Sequence, residues 1–72
     1  MIYPEIAKLM ACKKMRQKDL AHVIGRTQQA VEKKLNGKTE FKMSEIVAIK
    51  NHFKDIAPAI TWEKLFEIYL PQ

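Results

Sequence analysis

The stretch Gln17 to Asn36, QKDLAHVIGRTQQAVEKKLN, constrains this chain more than any other. It reads as two short helices separated by a glycine. Leu20, Val23 and Ile24 fall at i, i+3, i+4 spacing and form one apolar stripe on a helix of 3.6 residues per turn. Ala21 beside that stripe leaves room for a second helix to cross closely. Gly25 supplies the positive φ with which a helix ends and turns. Thr27 is then an N-cap, its hydroxyl positioned to accept from a backbone N–H two or three residues on, so that a new helix starts at Gln28. Val31 and Leu35 face inward from this second helix. At about 100° per residue the opposite face centres on Lys33 and carries Gln29, Ala30 and Asn36, all polar or small.

Two helices joined by a short glycine-containing turn form a helix-turn-helix unit, whose second helix enters the major groove of DNA. Gly25, Thr27, Gln28, Gln29, Glu32, Asn36, Gly37, Lys38 and Thr39 resemble the corresponding segment of lambdoid phage repressors, within the broad Cro/C1-type family. The resemblance is close over about Gln17 to Thr39 and extends to the flanks only as apolar spacing and size. It implies an all-α, compact five-helix, lambda-repressor-like DNA-binding domain. Two positions depart from the family pattern, and a third differs from some relatives. Arg16 stands where a good N-cap is usual, Arg26 stands where the family is generally apolar, and Lys33 replaces a glutamine found in some relatives.

At 72 residues the chain is expected to be one domain, with 47% hydrophobic and 29% charged residues placing it among globular sequences. No apolar run approaches the ~20 residues that span a bilayer. MIYPEIAK lacks the basic and apolar regions of a secretory leader. The single Cys12 has no internal partner, and no Cys/His spacing indicates zinc. The expectation is a cytoplasmic protein of a bacterial or phage-infected cell, with no cofactor and no metal. The net charge of +5 is uneven. Residues 1 to 42 hold ten Lys/Arg against four acids, and residues 43 to 72 hold three against four. A basic half suits phosphates; without the motif it would read as solvated lysine-rich faces.

Along the chain, Pro4 suits the first turn of helix 1, Glu5 complements its positive N-terminus, and Ile6, Leu9 and Met10 form its core stripe. Met10, Met15 and Met43 read as core filler, Met15 as a staple-like contact. Asn36-Gly37 ends the second helix of the unit, and Phe41 anchors the following loop. Helix 4 is expected over about Met43 to Phe53, with Ile46, Ile49 and Phe53 in one stripe, Val47 beside it and Ser44 as a possible cap. The pattern breaks at Ala57-Pro58. Thr61 then caps a short helix 5 running through Trp62, Leu65, Phe66 and as far as Tyr69. Four of the six aromatics lie in the last twenty residues. They either line a homodimer surface of Trp62, Phe66 and Tyr69 or fill the core of a small domain.

Binding strength is assigned to phosphate contacts from Arg16, Gln17, Arg26, Thr27, Lys38 and Lys42, and sequence choice to base contacts from Gln28, Gln29 and Lys33. The resemblance alone places Gln28 at a base, and Gln17 beside Gln28. Arg26 either lays its stem over the core edge or reaches a phosphate, and the phosphate is the preferred expectation. A glutamine amide can pair with adenine N6/N7, and a lysine favours guanine O6/N7. Ala30 is placed to touch a thymine methyl, while Glu32 is expected to pair with a neighbouring cation. The resemblance implies a transcriptional regulator, a phage or prophage-type repressor, binding a two-fold symmetric double-stranded operator as a homodimer, without an obvious ligand pocket. An enzyme is disfavoured: His22 and His52 have no cysteine or paired carboxylate at useful spacing, with His22 expected exposed and His52 partly covered by helix 5. The alternative is a protein-binding module on the same fold, antitoxin-like or a phage protein directed at a host factor, using its aromatics on an additional protein partner.

Overall fold

The computed structural model describes residues 1–68. Tyr69 lies outside them. Among the described residues five α-helices follow in order: α1 Pro4–Cys12, α2 Gln17–Ile24, α3 Gln28–Leu35, α4 Met43–His52 and α5 Trp62–Leu65. No strand occurs among the described residues.

One core draws on all five helices. Ile6, Leu20, Val31, Leu35, Ile49, Phe53 and Leu65 are sealed from solvent, with Tyr3, Leu9, Met10 and Ala21 nearly so. The i, i+3, i+4 stripe of α1 is buried as its spacing requires, and Ala21 lets α2 lie close against its neighbours. Gly25 ends α2 at φ 68°, ψ 36°, and Arg26 N–H reaches back to the Ala21 carbonyl to close the helix. Thr27 then caps α3, its Oγ1 accepting from Ala30 N–H at 3.2 Å. Gly37 turns the chain away after α3 at φ 80°. Before α1, Ile2 N–H donates to the Leu35 carbonyl at 2.9 Å, tying the N-terminal segment to the end of α3.

Several expectations are corrected. Met43, expected as core filler, is 64% exposed, and Val47, beside the stripe, is 49% exposed. Helical steps from the buried Ile49 and Phe53 put Val47 on the far side of α4 and Met43 on its flank. Ser44 is not the cap. Lys42 holds that position, and Glu45 Oε1 accepts from its backbone N–H at 2.9 Å. The same device starts α2, where Asp19 Oδ2 accepts from Arg16 N–H at 2.8 Å and compensates for an arginine at the cap. Helix α5 stops at Leu65, with Phe66 as its C-cap. Glu32, expected to pair with a neighbouring cation, forms no ion pair among the described residues, whereas Lys34 is buried and paired. His52 lines an open surface cleft of about 460 Å³ with Lys13, Met15, Asp19 and His22. No helix among the described residues is long and apolar enough to cross a membrane.

Candidate nucleic-acid interface

Helix α3 is amphipathic in the sense its spacing requires: Val31 and Leu35 are fully buried, and Gln28, Gln29, Glu32 and Lys33 are exposed. Beside its outer face runs an open groove of about 340 Å³, walled by α3, the preceding turn and the loop into α4. Arg26, Thr27, Gln29, Lys33, Lys34 and Lys42 reach this groove, with Ala30 and Thr39 at its wall. Four cations and no carboxylate line it, which sets basic groups next to hydrogen-bonding side chains.

Of the residues expected to touch bases, the structure brings Gln29 and Lys33 into this groove and leaves Gln28 outside it, exposed at the first position of α3. Of the expected phosphate contacts, Arg26, Thr27 and Lys42 lie in the groove. Arg16, at the cap of α2, Gln17, half-buried at its first position, and Lys38, exposed beyond α3, do not.

A residue that sequence reasoning passed over stands behind the groove. Glu45 is only 3% exposed. Its Oε2 accepts from Arg26 Nε at 2.6 Å, and its Oε1 lies 3.2 Å from Lys34 Nζ while also accepting from Lys42 N–H. Lys34 Nζ further donates to the Glu40 carbonyl at 2.9 Å and lies 5.8 Å from the Phe41 ring centre. Burial by itself pushes the Glu45 pKa up; the Lys42 N–H, then Arg26 and Lys34, hold it below the ordinary carboxylate value. An acid three positions after a cap was the available signal, but it spoke only for capping.

The aromatic residues divide. Phe66 is half-buried in a ring of edge-to-face contacts, its centre 5.8 Å from Tyr3 and 5.3 Å from Phe41, whose own rings lie 5.5 Å apart. Trp62 is 50% exposed. Phe66 thus serves the core edge, and Trp62 remains at the surface. No group of three His, Cys, Asp or Glu side chains able to hold a metal occurs among the described residues.

Comparison with protein families matches residues 5–54 to the model described as the Cro/C1-type HTH DNA-binding domain. That span runs from the first turn of α1 through α4 and contains every residue of the groove. Comparisons with curated proteins and with solved structures give no match. The family match covers more than half of the chain, and the protein belongs to the Cro/C1-type helix-turn-helix DNA-binding family.

Proposed function

We propose that this protein is a sequence-specific regulator of transcription, a repressor of phage or prophage type, whose 72 residues work as one DNA-binding domain and pair as a homodimer on a two-fold symmetric operator. The observation that carries this reading is the groove beside α3, where Gln29 and Lys33 stand among Arg26, Lys34 and Lys42. Base-reading and phosphate-neutralising groups are adjacent there, as major-groove recognition requires. Gln28, Gln29 and Lys33 read base edges, with Lys33 selecting guanine. Arg16, Gln17, Arg26, Thr27, Lys38 and Lys42 hold the backbone. Cytoplasmic action without cofactor or metal goes with this role, and no catalytic activity is assigned.

Selection of duplexes from a random pool, at near-physiological salt so that phosphate-only binding is suppressed, tests the proposal. A two-fold symmetric motif that loses its guanine preference in Lys33→Ala is the expected result. A folded protein that enriches no motif would overturn it.

The half-exposed Trp62 favours a second reading, a protein-binding module on the same fold. Charge reversal separates the two. Lys33→Glu removes DNA binding and leaves a partner surface at Trp62 intact, while Trp62→Ala weakens that partner, or the homodimer, without altering the sequence read by α3.

A further inference from the structure

We propose that Glu45 is a positioning residue of the DNA interface: it fixes Arg26 through Nε so that the terminal guanidinium nitrogens are presented to a DNA phosphate. The inference rests on the DNA-binding reading above. Its physical basis is the shape of the arginine head. A guanidinium offers five N–H donors in a rigid plane, so one edge can be held by the protein while another meets an anion.

Here the Nε edge is held at 2.6 Å by a carboxylate that is itself locked by the Lys42 N–H and Lys34. Among the described residues no hydrogen bond engages the terminal nitrogens, and the Arg26 side chain is 39% exposed where it reaches the groove. A free arginine would sample many rotamers and lose that entropy on binding. Arg26, held at the turn between α2 and α3, has already lost much of it. The same carboxylate ties the turn, α3 and the start of α4 at one point, so the aim of Arg26 and the seat of the recognition helix are set together.

Simple electrostatics makes the opposite prediction, which gives the test its force. Removing a negative charge near DNA should strengthen binding. If Glu45 aims Arg26, Glu45→Gln instead weakens binding to the selected duplex by about tenfold, the scale of one charged hydrogen bond. It also lowers the slope of log K against log salt by about 0.9, the loss of one phosphate contact. Arg26→Ala lowers the slope by the same amount, and the double variant loses one contact, not two. Arg26→Lys keeps the charge but has no second edge, and loses the contact like Arg26→Ala.

Failure of the wild-type protein to bind any selected duplex would sink the DNA-binding reading itself. Wild-type binding combined with unchanged or tighter binding by Glu45→Gln would overturn the role of Glu45 alone. If circular dichroism shows Glu45→Gln unfolded, Arg26→Lys decides: wild-type affinity and slope in that variant overturn the proposal, and loss of one contact supports it.

Discussion

Glu45 ties the stability of the fold to pH. Burial works against its charge, but the Lys42 N–H, Arg26 and Lys34 outweigh burial, so its folded pKa lies below the ordinary 4.5. The folded protein therefore binds fewer protons here than the unfolded chain. The stabilisation is fully present above pH 4.5 and is lost as the pH falls through the lower, folded value. Thermal midpoints measured from pH 6 downward should fall in that acid range, and Glu45→Gln should flatten the decline. Asp55, depressed by its hydrogen bond to Lys13, acts in the same direction, but its exposure keeps its share small. Gly25 makes a different demand on its position. A Cβ there would meet nothing within 4 Å, so only the left-handed backbone at φ 68° resists substitution. Gly25→Ala should cost about 1 kcal/mol, read as a lower urea midpoint at unchanged m. Both residue-scale roles differ in visibility. The glycine was legible because φ is a local property, while the ion pair joins residues 19 apart in sequence and had no local sign.

At the scale of elements, α5 is the shortest of the described helices and separates two kinds of aromatic or apolar contact. Leu65 is fully enclosed, whereas Trp62 on the same helix is half exposed. Leu65→Ala should destabilise the fold by about 2–5 kcal/mol in chemical denaturation. Trp62→Ala should change unfolding much less and act on association, so sedimentation of the two variants should rank them in the opposite order. The caps of α3 and α5 were readable as Thr27 and Thr61, because a hydroxyl before an amphipathic run has one common use. The starts of α2 and α4 were less so. Arg16 and Lys42 cannot accept a capping bond, and Asp19 and Glu45 work from inside the helix. Met43 was misassigned to the core for a related reason: its apolar character was visible, but the side of α4 that meets the core depended on where Ile49 and Phe53 settled.

Across the whole molecule, charge is segregated as the chain order suggests, with ten of its thirteen Lys/Arg in residues 1 to 42. The fold draws four of these ten, Arg26, Lys33, Lys34 and Lys42, to one groove. Glu45 neutralises part of that charge from behind and steadies it. The all-helical architecture, the turn at Gly25, the outward polar face of α3 and the basic half were determined by the sequence itself. Each rests on short-range physics: a 3.6-residue period, a permitted φ, a capping oxygen, a count of charges. Only the tertiary structure decided that Lys34 is buried, that Arg26 answers to Glu45, and that Phe66 closes on Tyr3 and Phe41 while Trp62 stays outside. Those outcomes depend on which distant elements meet. Helical spacing assigns a face to a side chain, and only packing supplies the neighbour that the face will find.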